Sequence, residues 1–264
     1  MPVILGGNTG IYLASLAPAF DPDAQAFITA AAITNPTQQA AINQLVIDLK
    51  GYSIWTKMKA LYPIVGGTAT THKWNLTDPR DLDAAFRIFW NGGWTHSSNG
   101  ATPSGSNGWA NTYLTTQGSL GLNSTHVSVY SRTNVDILAP SIGNVTGGAS
   151  AEVSMWLRYQ NALVLRVNNS AFVNPGNTDS RGLFIGNRNS STQINLSIRG
   201  TQTTFSNTSN SLTTTVMQLG GVNPNFFDTK ELAFASIGDG LTAQNMTDLT
   251  TAVNAFQVSL SRNV

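Results

Sequence analysis

From about residue 86 to residue 237 the chain alternates apolar and polar residues in short runs, and few folds accommodate that pattern. Val127 and Val129 alternate with His126, Ser128 and Tyr130. Val153, Met155, Leu157 and Tyr159 alternate with Glu152, Ser154, Trp156 and Arg158. Ile194, Leu196 and Ile198 alternate with Gln193, Asn195, Ser197 and Arg199. Successive side chains of a strand point to opposite faces, so the alternation predicts a sheet with one packed and one wet face. Gln160-Asn161 separates the 153–159 run from Leu163, Leu165 and Val167, the spacing of a tight hairpin. Further strands are expected near 181–187, 201–206, 212–219 and 230–237. Many short strands split by Gly, Asn and Pro turns favour an antiparallel sandwich or jelly roll over a parallel α/β sheet.

Helices are expected at both ends of this region. Asp21 can cap a first helix, with Pro22 at N1, where its missing N–H costs nothing. A second begins near Pro36 and carries Ile42, Leu45, Val46 and Leu49 as one amphipathic stripe, with Gly51 as its stop. A third, short helix would carry Trp55, Met58, Leu61 and Tyr62 up to Pro63. Asp78 and Pro79 resemble another helix start, with Asp81 in the first turn beside the positive end of the dipole. A calcium site at Asp78, Asp81 and Asp83 is the competing reading, but the loop spacing with its Gly and terminal Glu is missing. Thr242 can cap a last helix over 242–262, whose Met246, Leu249, Val253, Phe256 and Leu260 form a stripe toward the sandwich or a partner helix. The expected class is therefore mainly β with helices (α+β). Residues 1–20 would be an apolar N-terminal arm, residues 21–85 a helical segment packed on the sandwich, and residues 86–264 a jelly-roll domain ending in its helix.

Charged residues make up 10% of the chain, against about 25% in ordinary soluble domains. The polar surface must be built from Asn, Ser, Thr and Gln, a composition common on β-rich extracellular and virion proteins. The net charge is +1 and the 14 basic residues are scattered, so no electrostatic footprint for nucleic acid is present. Cysteine is absent, which excludes disulfides, thiolate metal sites and cysteine nucleophiles. No run approaches the roughly 18 apolar residues of a membrane span. The segment MPVILGGNTGIYLASLAPAF has no charged side chain and no basic n-region, and glycines interrupt its apolar run. Secretion by the usual signal is not expected. Such an arm fits either an assembly segment buried against a neighbour or a strand packed on its own domain.

No catalytic set stands out. Glu152 and Glu231 are the only glutamates, on separate expected strands. Their alternate positions hold Ser154 and Trp156, or Ala233 and Ala235, rather than a second carboxylate of a glycosidase pair. His72, His96 and His126 lack local metal spacing, and HExxH, GxSxG and Walker-type motifs are absent. No cofactor and no metal are expected. A glycan-degrading enzyme on this sandwich stays as an alternative, because carboxylates or a triad can assemble across a fold.

The loops Trp94-Thr95-His96-Ser97-Ser98 and Ser106-Asn107-Gly108-Trp109-Ala110-Asn111 form the best candidate surface. Trp rings beside Asn, Ser and His groups offer an apolar face for a sugar ring and donors for its hydroxyls. Trp94, His96, Trp109 and Asn111 are the candidate glycan residues. Tyr130, expected to share a strand face with His126 and Arg132, is a weaker one. The competing reading makes Trp94 and Trp109 plugs closing the end of the sandwich.

The block KWNLTDPRDLDAAFRIFWNGGWTHSSNGATPSGSNGWANTYL, followed by HVSVYSRTN, resembles a family of phage virion proteins with a concanavalin-like, laminin-G-like jelly roll, seen especially in phages of Bacteroidota. The segments AFITAAAITNPTQQAAINQLVIDLKGYSIWTKMKALYPIVGGTA and LAFASIGDGLTAQNMTDLTTAVNAFQVSLSRN look like the same family, so the resemblance spans about residue 24 to the end. It implies a jelly roll preceded by helices on a virus particle, and it brings no catalytic residues. On it rests the expectation of a spike, fibre or vertex protein that attaches to host glycan. A purely structural capsid or decoration protein is the alternative within the same setting. Localisation to the virion, docking to other virion proteins through the arm, and homo-oligomer formation follow as expectations of that resemblance.

Overall fold

A computed structural model describes residues 20–144, 152–222 and 224–264. The expected arm and its docking role fall, but for Phe20, outside the described residues. The chain runs through α1 (Pro22–Ala30), α2 (Pro36–Gly51), β1 (Met58–Tyr62), α3 (Ala69–His72), β2 (Phe89–Asn91), β3 (Trp94–Ser97), β4 (Gly100–Pro103), β5 (Trp109–Thr115) and α4 (Thr116–Ser119). There follow β6 (Thr125–Ser131), β7 (Ile142–Gly143), β8 (Glu152–Tyr159), β9 (Ala162–Asn169), β10 (Gly182–Arg188), β11 (Gln193–Ile198) and β12 (Thr201–Ser206). The chain closes with β13 (Val216–Leu219), β14 (Gly221–Val222), β15 (Phe226–Phe227), β16 (Leu232–Gly238) and α5 (Ala243–Ser259).

Two antiparallel sheets face each other as a jelly-roll β-sandwich. One has eight strands in the order β12-β11-β10-β6-β16-β4-β3, with β1 also paired to β16; the other has six, β2-β5-β13-β7-β8-β9. The register between β8 and β9 places Tyr159 opposite Ala162. The two residues between them, Gln160 and Asn161, both take positive φ (52° and 58°), the expected tight hairpin.

The middle of the eight-stranded sheet, β6, β10 and β16, is buried on both sides. Val127, Val129, Phe184, Leu232, Ala235 and Ile237 pack inward against Ile142, Met155, Leu157 and Leu165 of the facing sheet. Tyr130, Leu183, Ile185, Ala233 and Phe234 turn the other way, onto a helical layer of α1, α2 and α5. Runs such as Leu183-Phe184-Ile185 and Leu232-Ala233-Phe234-Ala235 are consequently apolar without a break. The helical layer also settles the stripe on the last helix. Met246, Leu249, Val253 and Phe256 join Ile42, Leu45, Val46 and Leu49 of α2 in one core, so α5 packs on its own chain.

The caps follow from local chemistry. Asp21 accepts the N–H of Asp23 at 3.0 Å ahead of Pro22, and Asn35 accepts that of Gln38 at 3.1 Å ahead of Pro36. Thr242 and Asn245 form a reciprocal capping box. Gly51 is the last residue of α2, but the left-handed position after it is filled by Ser53 (φ 58°).

Several expectations are corrected. Residues 58–62 are strand β1 and not a third helix; only Trp55–Lys57 makes a helical turn, of 3-10 type. Pairing of Ala60, Leu61 and Tyr62 with Ile237, Ser236 and Ala235 of β16 overrides the helix-like spacing. Within the 21–85 segment, β1 is thus built into the eight-stranded sheet. Asp78 starts no helix. Its carboxylate takes Arg80 Nε at 2.7 Å and Nη2 at 2.5 Å, and the nearby helical turn is a 3-10 turn at Asp83–Ala85. The face carrying His126, Ser128 and Tyr130 is dry, because the helical layer covers it.

Candidate functional site

The stretch expected to be loop carries strands. Trp94 and His96 lie on β3 at one edge of the eight-stranded sheet, while Trp109 and Asn111 lie on β5 of the other sheet. Trp94 is wedged between the sheets. Its indole N–H is shared between the carbonyls of Asn91 (3.1 Å) and Trp109 (3.3 Å), and its ring fills the space where a Cβ at Gly220 would sit. Gly220 also has φ +71°. Gly220→Ala is expected to cost about 2–3 kcal/mol, from backbone strain and displacement of the indole, measured as a lowered urea midpoint. Asn111 spends its side-chain oxygen on the N–H of Tyr113 (2.7 Å), which holds that residue's left-handed kink at φ 58°. Tyr130 is 1% exposed, and its hydroxyl accepts the N–H of Val264 at 3.0 Å. It ties down the C-terminus and presents nothing to a ligand.

Trp94 and His96 belong to an aromatic stack that the spacing of the sequence does not reveal. Trp90 on β2 meets Trp94 edge-on at 4.7 Å and His96 at 4.8 Å between ring centres. His96 in turn reaches His72 at the end of α3, with the two Nδ1 atoms 3.0 Å apart. The tautomers follow from the partners. The Gly67 N–H donates to His72 Nε2 at 3.0 Å, so the His72 proton sits on Nδ1 and is donated to His96 Nδ1. Both rings are held neutral. Burial first, then His96 and Arg262, push the His72 pKa down to about 3, and burial lowers that of His96.

In front of this stack lies an open cleft of about 310 Å³, lined by Ala69, Thr70, Lys73, Arg87, Ile88, Phe89 and Trp90. Trp90 anchors its floor by donating its indole N–H to Ala69 O at 3.0 Å. Phe89 is 47% exposed at the mouth. Two cations stand beside these rings, each held by aspartates: Lys73 to Asp81 at 2.6 Å, and Arg87 to Asp81 at 3.1 Å and Asp83 at 2.7 Å. The Lys73 hydrogen bond, then Arg87, keeps the Asp81 pKa below its ordinary value. Lys73 also lies over Trp74 at 4.7 Å, and Arg87 over Tyr113 at 5.9 Å. Charges cancel within the group, leaving fixed donors and acceptors beside apolar faces. Asp81, expected from sequence in a helix's first turn, and Asp83, which enters there only through the competing calcium reading, serve instead to orient these cations. Sequence reasoning misses Lys73, Arg87, Phe89 and Trp90 as site residues, because no spacing in the chain marks them.

The other carboxylates are engaged elsewhere. Glu231 pairs with Arg132 at 2.6 Å, and Glu152 on β8 lies 3.5 Å from Arg166. Among the described residues no group of three or more His, Asp or Glu is arranged to hold a metal.

No family model matches the chain, and no curated protein matches it. Solved structures do. The binding domain of botulinum neurotoxin DC, in complex with rat synaptotagmin II, superposes with a TM-score of 0.52 at 11% identity, over 76% of this chain and 52% of that one. A structure of botulinum neurotoxin type C, whose cell entry is dependent upon interaction with two ganglioside molecules, gives 0.50 at 12% identity with the same coverage. Domain 4 of AbnA, an extracellular arabinanase from Geobacillus stearothermophilus in complex with arabinotriose, gives 0.48 at 16% identity, over 74% of this chain and 98% of that domain. The chain spans about half the length of the two neurotoxin chains. At this level of identity the likeness is one of fold: the chain is an antiparallel β-sandwich similar to the neurotoxin binding domains.

Proposed function

We propose that this protein is a glycan-binding module, with the cleft between α3 and β2 as its sugar site. The observation that carries the reading is the meeting of the exposed Phe89 ring and the half-buried Trp90 with Lys73, Arg87, Asp81 and Asp83 held in fixed orientation. A sugar needs an apolar face to stack on and charged or amide groups to read its hydroxyls, and this cleft offers both. The balanced charge favours a neutral hexose over an acidic one. Two fold neighbours described with a ganglioside or a synaptotagmin are support by analogy of fold only. The setting, a bacteriophage particle on which the module attaches to host glycan, rests on the sequence resemblance. Detection of the chain in purified phage particles tests that setting.

The site itself is tested by screening the protein against neutral host-surface glycans, followed by calorimetry on the best binder. Phe89→Ala and Arg87→Ala are each expected to weaken binding about tenfold, or about 1.4 kcal/mol. The melting temperature should hardly move for Phe89→Ala, since that ring is half in solvent. Flat isotherms across the panel, or affinity indifferent to both changes, would remove the cleft from consideration.

A further inference from the structure

Sheet edges in this sandwich are handled unequally, and one of them is left open. The outer strand of the six-stranded sheet, β9, is covered by its own chain: Leu165 and Val173 exchange backbone hydrogen bonds at 3.0 Å, and Leu163 N–H donates to Pro175 O at 2.8 Å. The outer strands β2 and β3 are only three and four residues long, and β1, paired to β16 alone, has its outward groups at Lys59 and Leu61 taken by Asn75 and Leu76. At the remaining edge β12 runs six residues, TQTTFS, exposed or half-exposed throughout. It has none of the devices that blunt an edge, such as a lysine, a proline or a bulge. No charged residue occurs from Gly200 to Phe227.

The ladder shows which backbone groups are free. Arg199 N–H donates to Leu183 O, so odd-numbered residues of β11 bond toward β10 and even-numbered ones toward β12. Ile194, Leu196 and Ile198 stand opposite Phe205, Thr203 and Thr201, and Asn207 N–H to Thr192 O continues the same series. Gln202, Thr204 and Ser206 therefore turn their backbone N–H and C=O groups outward.

We propose that this edge pairs with the same edge of a second copy, antiparallel about a two-fold axis at Thr204. In that register Thr204 lies opposite Thr204 and Gln202 opposite Ser206, so all three outward residues of each copy find backbone partners. Phe205, already half-buried against the sandwich core, comes beside Thr203 of the other copy on the same face. A second copy is the occupant that the segment itself favours. It is uncharged, so self-pairing sets no like charges opposite one another, and Thr–Thr and Thr–Phe neighbours suit cross-strand contact. The pairing joins two eight-stranded sheets into one and goes beyond the glycan reading, which does not require it.

Sedimentation equilibrium of the full chain tests the proposal. The wild type is expected to dimerise. Thr204→Pro, which removes an outward N–H but no ladder bond, and Thr203→Lys, which adds an edge charge, should each raise the dissociation constant roughly tenfold or more with unchanged circular dichroism. The chain has no cysteine, so Thr204→Cys sets one thiol opposite its twin, within disulfide reach of about 5.5 Å between Cα atoms. Mild oxidation should then yield a covalent dimer. A wild type that stays monomeric across the concentration series overturns the proposal. So does a dimer indifferent to both edge variants that Thr204→Cys fails to cross-link.

Discussion

Lowering the pH from 7 to 4 is expected to remove on the order of 5 kcal/mol of folding stability, an amount comparable to the whole margin of many domains. Two buried histidines cause this. His72 is held neutral by burial, with His96 and Arg262 adding to the effect, and its pKa falls to about 3. His126 falls to about 4, again through burial first. His126 is also locked as one tautomer. Its Nδ1–H donates to Asp239 O at 2.6 Å, and Nε2 accepts from Ser236, which is itself 2.7 Å from Ser128. In the unfolded chain both rings titrate near 6.5, so between that value and their folded values only the unfolded chain takes up protons. Their contribution is fully present above about pH 6.5 and declines by about 1.4 kcal/mol per pH unit for each group as the pH falls. The lowered carboxylates Asp21, Asp78, Asp81, Asp136 and Asp179 add losses only in more acid solution, below their unfolded values near 3.8. Urea titrations at pH 7, 5.5 and 4 measure the slope. His126→Gln should lower stability at pH 7 yet remove about half of the acid dependence; a wild-type midpoint unchanged from pH 7 to 4 would contradict the assignment.

Replacing Arg262 with Ala is expected to cost about 3–5 kcal/mol. The guanidinium is 1% exposed and spends its donors on Gln257 Oε1 (2.6 Å) and on the carbonyls of Ile64, Pro63 and Ala233 (2.8 Å each). It lies over the Phe256 ring at 5.3 Å. Burial pushes its pKa down to about 9, so the charge persists at neutral pH. The single fork joins the end of the chain to the segment after β1 and to β16, three stretches distant in sequence. Without it, buried acceptors lose their donors and the tail loses its hold, including the Val264 contact to Tyr130. Arg262→Lys should recover little, because one ammonium cannot span those acceptors. The midpoint of urea unfolding reports the cost, and faster amide exchange at Val264 would locate it.

What could be read from the chain was mainly local. Pro22 and Pro36 behind capping side chains, Thr242 ahead of α5 and the Gln160-Asn161 turn are settled within a few residues, so the sequence displays them. β1 fits a helix as well as a strand because its apolar residues satisfy either period, and only its pairing with β16 decides between them. The dry face of β6 was unreadable for a related reason: His126 and Ser128 look like solvent-facing residues until a helical layer is placed over them, and their polar atoms are satisfied by Asp239 and Ser236. Behind the cleft, Trp94 and His96 are legible as aromatic and polar groups, but they stack on Trp90 rather than line the cleft. Their partners are not legible. His72 lies 24 residues from His96, and nothing in the spacing marks Asp81 and Asp83 as clamps for Lys73 and Arg87.

The sheet with apolar packing on both sides has a mechanical consequence. It is the common wall of two hydrophobic compartments, and β1 sets a piece of the N-terminal region into that wall. Helices and sandwich are therefore not separable parts: loosening either compartment strips cover from the strands that the other depends on, and the two should melt as a single cooperative unit.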